Sequence, residues 1–348
     1  MASHDRSATA GGPNPADVEM ARTLLSRMGL SPDDLVHTPV ARPPAPTFGE
    51  YVPQVAAAVA QGTRRCYGSY WNRVLAVWGD RPITDPSASE IAQLAEQVKA
   101  QVVVRRNARG GRGAAEHLIA ALRCLYRHAI ADGWITEGDN PAARVDKPRR
   151  LPSTRRGLAD QRLAEINHVA STTGNDPALD AMLVRFHTET AARRGGALAL
   201  RPRDLDTQQC LVLLREKGET VRWQPVTPTL MRHLLAHHEQ RGDGDPNQSL
   251  LRYANEAPLT YRRYDHLWQR LGKYLPWVAR QQVSTHWLRH TTLTWVERHY
   301  GYAVAAAYAG HTDRHDTGST TTYIRAATDE VATALAALTG EHHPLANP

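Results

Sequence analysis

Apolar residues return every three or four positions from Thr47 to about Ala143, the period of a helix with one buried face. Four segments carry it best: Tyr51–Ala60, Thr63–Trp78, Ser89–Arg105 and Ala114–Ala131. In the last, Leu118, Leu122, Leu125, Ala129 and Ile130 form one stripe, and Asp132-Gly133 supplies the stop. Upstream, Val18, Ala21, Leu24, Leu25 and Met28 predict a short amphipathic helix over Ala16–Gly29. A polar tail precedes it, and the connector Thr38–Pro46 holds too many prolines to be helix or central strand.

The second half changes rhythm once. Helical spacing over Asp160–Thr172, Pro177–Thr190 and Ala192–Leu200 gives way to Leu205–Leu214 and Thr220–Pro225, which flank Glu216-Lys217-Gly218-Glu219 as a strand–turn–strand. Helical spacing then resumes over Thr229–Ala236, Tyr261–Tyr274, His286–His299, Ala303–Ala309 and Glu330–Leu338. The fold class expected is mainly α with one small antiparallel sheet. Breaks at Asn140-Pro141 and in the stretch after it divide the chain into a flexible tail with a short helix (1–46), a helical unit (47–143), a linker (144–156) and a second unit (157–348).

Composition narrows the classes. The 348 residues are 41% hydrophobic and 22% charged, enough for packed cores rather than disorder. No apolar run approaches the ~18 residues of a membrane span, and residues 1–15 do not read as a signal peptide. Cys66, Cys124 and Cys210 are scattered and unpaired in sequence, against a disulfide scaffold or a cysteine zinc site, so a cytoplasmic setting is expected.

The formal net charge is +7, and of 42 basic residues only Lys99, Lys147, Lys217 and Lys273 are lysine. Arginine's planar fork suits phosphate, which makes a nucleic acid the first partner to consider. Two segments concentrate the charge. Arg105-Arg106-Asn107-Ala108-Arg109-Gly110-Gly111-Arg112 opens onto a helix N-terminus, where amides and guanidinium groups converge on a phosphate. Arg144, Lys147, Arg149, Arg150, Arg155 and Arg156 lie on a proline-stiffened strap that can follow a duplex. With Arg64 and Arg65 these residues, short of Arg155 and Arg156, are the candidate DNA contacts.

Four short segments of the second unit carry reactive side chains. Thr190-Ala191-Ala192-Arg193-Arg194-Gly195-Gly196-Ala197-Leu198 sets Arg193 at a helix start, and Lys217 follows in the hairpin turn. His286-Trp287-Leu288-Arg289-His290 points His286 and Arg289 from one helical face. Gly310-His311 and then Tyr323, in Thr320-Thr321-Thr322-Tyr323-Ile324, complete the set. Two arginines can hold the non-bridging oxygens of a phosphodiester and offset the charge of its transition state. A tyrosine hydroxyl becomes a nucleophile once a base or cationic pocket favours its phenolate, and histidine can take that proton near neutral pH. Attack by tyrosine on a phosphodiester is the reaction class these groups suit.

These segments resemble the tyrosine recombinase, or phage integrase, family over most of the chain. There the first arginine lies in a T-G-x-R-x-x-E-x-L-like box, the second in H-x-L-R-H, a histidine in L-G-H and the nucleophile in a T-T-x-x-Y-like sequence. Matched position by position, Arg193, Lys217, His286, Arg289, His311 and Tyr323 fall on the catalytic residues, and His290 on a frequent neighbour of the second arginine. Residues 47–143 are similar to the core DNA-binding domain. The resemblance implies a site-specific recombinase acting on double-stranded DNA through a covalent 3′-phosphotyrosyl intermediate, without cofactor or metal. It implies a homo-tetramer on synapsed sites, which the stripe Val331, Ala334, Leu335 and Leu338 of helix 330–338 could join, unless that stripe packs on its own domain. It also implies a nucleoid-associated protein of a phage or other mobile element, with an accessory factor as a further partner and residues 16–30 as an arm module.

This chain departs from the pattern where Gly196 stands in place of glutamate and Ala191 in place of glycine, and in a longer stretch between His311 and Tyr323. Arg194 competes for the role of first arginine, and Tyr300, Tyr302 and Tyr308 for that of nucleophile. The rival classes are a zinc hydrolase using His286/His290 or His311/His315, which lacks the glutamate of HExxH, and a non-catalytic DNA-binding relative. Chromosome- or plasmid-dimer resolution is the alternative role within the family.

Overall fold

The computed structural model describes residues 14–31, 44–102, 109–149, 156–216, 220–310 and 326–347. Lys217, His311 and Tyr323 lie outside these, as do Arg105, Arg106, Arg150 and Arg155. The chain separates into two compact units, the first drawn from residues 1–150 and the second mainly from 151–348.

In the first unit α1 (Pro15–Arg27) follows the predicted helix closely, started by the Asn14 side chain, which accepts from the Ala16 N–H at 3.1 Å. No α1 residue is buried, and Met20, Leu24 and Met28 are exposed. Four helices follow: α2 (Phe48–Ala58), α3 (Gln61–Trp78), α4 (Ala88–Ala100) and α5 (Arg112–Ala131). Capping boxes at Thr47/Glu50 and Ser87/Glu90 start α2 and α4 by satisfying otherwise unpaired N–H groups. Leu118, Leu122, Leu125 and Ala129 of the predicted stripe are buried with Phe48, Tyr51, Trp71 and Trp78. Helix α4 stops short of Arg105 because its buried face ends at Val98.

The start of the basic strap belongs to this unit. Arg123 donates to the carbonyls of Ala142 (3.0 Å) and Val145 (2.7 Å), and Val145 is buried in the core.

The second unit contains α6 (Asp160–Thr172), α7 (Pro177–Thr190), α8 (Arg194–Leu198), β1 (Leu205–Asp206), β2 (Leu211–Glu216), β3 (Thr220–Pro225), α9 (Pro228–Arg241), α10 (Tyr261–Tyr274), α11 (Pro276–Gln281), α12 (Thr285–Ala309) and α13 (Thr328–Thr339). The strands form an antiparallel sheet in the order β1-β2-β3. The long strand expected over Leu205–Leu214 is therefore two strands. Asp206 accepts from the Gln208 and Gln209 N–H groups and turns the chain, with Cys210 at φ 51. The α11 helix escaped the periodicity reading because Pro276 reads as a breaker, although proline is well tolerated in a first turn.

Helix α13 buries Val331, Ala334 and Leu335 in a cluster with Val296, Val304 and Tyr308 of α12. Of the two homes open to this stripe, the structure shows its own unit. Glu341 ties the following segment down, accepting from Arg185 at 3.0 Å and from the Thr229 N–H at 2.8 Å.

Candidate functional site

The site is built on the turn between α7 and α8. Thr190 donates to the Phe186 carbonyl at 2.6 Å and accepts the Ala192 N–H at 3.1 Å, while Ala191 takes a left-handed conformation, φ 50. His187, buried beneath, spans two partners. Its Nδ1 lies 2.9 Å from the Ala192 carbonyl and its Nε2 2.9 Å from the Tyr264 hydroxyl. A carbonyl can only accept, so Nδ1–H donates and Nε2 accepts, the neutral tautomer. Burial pushes the His187 pKa down to about 4, in keeping with that form. The turn delivers Arg193 as the N-cap of α8, which shortens the helix expected from Ala192.

Two guanidinium groups face one carboxylate, and a third is held on the adjoining turn. Glu216, at the end of β2, has a fully buried side chain. Its Oε2 accepts from Nη1 of Arg193 at 2.8 Å, and its Oε1 accepts the Arg193 backbone N–H. Nη2 of Arg222, on β3, is 4.0 Å from the same carboxylate. Arg289, buried on α12, donates to the carbonyls of Ala191 and, at 2.8 Å, Ala309. These carbonyls lie at the buried C-terminal ends of α7 and α12, where the helix dipole favours a cation.

Burial pushes the pKa of Arg289 down to about 10; Arg193 adds to the shift and Glu216 opposes it. Arg222 is likewise pushed to about 10 by burial, against the attraction of Glu216. Both groups stay cationic at neutral pH. Nε of Arg222 is buried without a hydrogen-bond partner among the described residues. At the end of α12, Gly310 has φ 64, and a Cβ there would lie 2.6 Å from Arg222 Nε. Only glycine both ends the helix and admits that arginine.

Arg193 and His286 line one open cleft of about 1260 Å³, together with Arg194, Tyr261, Gln269 and Lys273. His286 is exposed on the first turn of α12, whereas Arg289, three residues on, is buried. Arg194, on the same cleft, has other partners: it pairs with Asp265 at 3.3 Å and stacks over the Tyr261 ring at 5.3 Å. His290 faces Thr294 at 3.0 Å. Tyr308 is fully buried and donates its hydroxyl to the Glu189 carbonyl, so it cannot meet a DNA phosphate. Among the described residues no three His, Cys, Asp or Glu side chains converge as metal ligands, and no helix is long and apolar enough to cross a membrane.

Of the candidate DNA contacts, Arg64 and Arg65 are exposed on the first turns of α3, and Arg112 at the start of α5. Arg144, Lys147 and Arg149 are exposed, with Arg144 donating to the Gly138 carbonyl. Arg109 lies in a short 3-10 turn before α5. Lys217, His311, Tyr323, Arg105, Arg106 and Arg150 fall outside the described residues.

Glu216, Arg222 and His187 escaped the sequence reading. A signal for the first existed: along β2 Val212, Leu214 and Glu216 alternate inward, so a carboxylate continues the buried side of a strand. Nothing local distinguishes His187 from other helical histidines.

The phage integrase family model matches residues 157–330, half of the chain. The chain belongs to the phage integrase family, the tyrosine-type site-specific recombinases, DNA-binding enzymes of strand exchange. Its fold is similar to a lambda integrase tetramer bound to a Holliday junction, with TM-score 0.59 and 14% identity over 86% of this chain and 89% of that one. It is also similar to the Tn1549 transposon integrase in complex with a circular intermediate DNA, with TM-score 0.60 and 18% identity over 83% of this chain and 98% of that one. No curated protein matches the chain.

Proposed function

We propose that this chain cuts and rejoins duplex DNA with Tyr323 as nucleophile, in the integration or excision of a phage or other mobile element. The observation that supports this most directly is that Arg193 and Arg289 meet at the α7–α8 turn, Arg193 held by Glu216 and Arg289 on the Ala191 carbonyl, with Arg193 and His286 lining one cleft. The Tyr323 phenolate oxygen bonds to phosphorus, the bond to the 5′-oxygen breaks, and the 3′-phosphate remains on tyrosine. Arg193 and Arg289 stabilise the charge on the non-bridging oxygens. His311 and His286 take or hold the phenol proton, and Lys217 protonates the departing 5′-oxygen; the roles of Lys217, His311 and Tyr323 rest on their sequence motifs. Because the phosphotyrosine link conserves the bond energy, the reverse attack by a 5′-hydroxyl reseals a strand with no cofactor in the balance.

Residues 47–143 and the basic strap 144–156 serve as further DNA contacts through Arg64, Arg65, Arg105, Arg106, Arg109, Arg112, Arg144, Lys147, Arg149 and Arg150. Affinity therefore falls steeply with salt, as release of counterions requires. The lambda integrase relative forms a tetramer on a Holliday junction, and a tetramer is the assembly proposed for this chain, with an accessory factor as a further partner. With the α13 stripe buried in its own unit, using it between subunits requires its release.

The test is a nicked suicide substrate that traps covalent protein–DNA adduct. Wild type accumulates adduct and Tyr323→Phe does not; adduct persisting in that variant would reassign the nucleophile.

A further inference from the structure

We propose that Glu216 is the positioning residue of the first arginine, doing from strand β2 what the resembled family does with a glutamate three residues beyond that arginine, where this chain has Gly196. The inference deepens the proposed recombinase site and rests on that reading. Two independent features of the geometry carry it. The carboxylate of Glu216 grips both ends of Arg193, the guanidinium through Oε2 at 2.8 Å and the backbone N–H through Oε1. It also occupies the space a side chain at position 196 would enter: a Cβ on Gly196 would lie 3.0 Å from Glu216 Cγ and 3.2 Å from its Oε1.

The helix register explains why the two positions are interchangeable. Arg193 is the N-cap of α8 and Gly196 stands three residues on, where a glutamate side chain reaches back to the N-cap N–H. Glu216 meets that same N–H from across the sheet. A carboxylate on the N-cap amide is thus kept while its source moves from helix to strand. Glycine at 196 follows, since any side chain there contests the site.

The charge balance points the same way. Arg193 and Arg222 both make their ion pairs with Glu216 among the described residues, and Arg289 is close enough for its charge to feel both Arg193 and Glu216. Without that carboxylate three buried or half-buried cations would repel one another, and Arg193 would swing toward solvent. With it, Nη1 of Arg193 is held while the other guanidinium N–H groups make no hydrogen bond among the described residues, leaving them for a phosphate.

The experiment measures single-turnover cleavage of pre-bound suicide substrate, with DNA affinity and thermal unfolding recorded for each variant. Glu216→Gln is isosteric and is expected to cut cleavage by about 100-fold, the scale of losing one preorganised charge contact, with affinity changed by less than about threefold. Gly196→Ala keeps the carboxylate but displaces it, and costs on the order of tenfold; it covers the case in which Glu216→Gln unfolds. The double variant Gly196→Glu/Glu216→Ala restores at least about tenfold of what Glu216→Ala alone loses.

A substrate with sulfur in place of the 5′-bridging oxygen separates Glu216 from its chain neighbour Lys217, because a thiolate leaves without a proton. That substrate rescues Lys217→Ala and not Glu216→Gln. Wild-type cleavage by Glu216→Gln, no recovery in the double variant, or sulfur rescue of Glu216→Gln would each overturn the proposal. Arg193→Ala and Tyr323→Phe run alongside. The Tyr323→Phe arm judges the assigned nucleophile, and the Glu216 arms are judged against Arg193→Ala, so the two readings can fail separately.

Discussion

Acidification is a direct probe of the turn that carries Arg193. His187 is neutral and buried, donating to the Ala192 carbonyl, with a pKa near 4, whereas an unfolded histidine titrates at about 6.5. The unfolded chain therefore binds the proton first. Stability from this residue is intact above pH 6.5 and is lost as the pH falls to about 4, where the folded protein also protonates. The full loss is about 3 kcal/mol, at close to 1.4 kcal/mol per pH unit in mid-range.

His237, accepting the Arg252 N–H at 3.1 Å and lowered to about 4 by burial, acts in the same direction. Glu189, whose pKa burial raises, acts in the opposite one, since it gains a proton in the folded state. His187→Gln isolates the single term, because glutamine keeps a donor and an acceptor but cannot titrate. Urea denaturation followed by tryptophan fluorescence from pH 7 to pH 4 should show wild type losing about 3 kcal/mol more than the variant. Covalent cleavage should fall over the same window in wild type, as Ala192 and with it Arg193 are released. Parallel stability curves for the two proteins would refute the assignment of the neutral histidine to this turn.

Other perturbations follow the same logic. Arg289→Lys keeps the charge but one ammonium cannot span the carbonyls of Ala191 and Ala309, so stability should drop by about 1–3 kcal/mol and cleavage by at least about 100-fold; unaltered cleavage would contradict the clamp. Tyr308→Phe removes the buried hydroxyl bonded to Glu189 and should lower stability by about 1–2 kcal/mol while adduct forms as before; lost adduct would make Tyr308 the nucleophile after all. Arg123→Ala frees three carbonyls at Ala142, Ala143 and Val145, so trypsin should cut after Arg144 markedly faster than in wild type, and equal rates would show that other contacts hold the strap.

Much of the site was legible where function needs a chemical group within a local motif. Arg193, His286 and Arg289 could be named because helix starts, i, i+3 spacing and short boxes are properties of neighbouring residues. Glu216 was not, although Gly196 lacks the expected carboxylate: Glu216 lies 23 residues beyond Arg193 in the chain, and only the tertiary fold brings one onto the other. Arg222 was invisible for the same reason, since an alternating strand with an inward arginine reads as an amphipathic edge until Gly310 is seen against it. Arg193 and Arg194 are separated by their partners, which the sequence does not show: Arg193 is held by Glu216 and Arg194 by Asp265.

Periodicity by itself determined most helices of both units and the existence of the small sheet, because helix and strand formation respond to spacing along the chain. Which cation faces which carboxylate was decided by tertiary structure. That pairing depends on packing between α7, α8, β2, β3 and α12, where burial makes an unpaired charge expensive and lets a carboxylate on a strand replace one on a helix. The α13 stripe shows the same division: its apolar face specifies that it be covered, and in the single chain the fold covers it with α12.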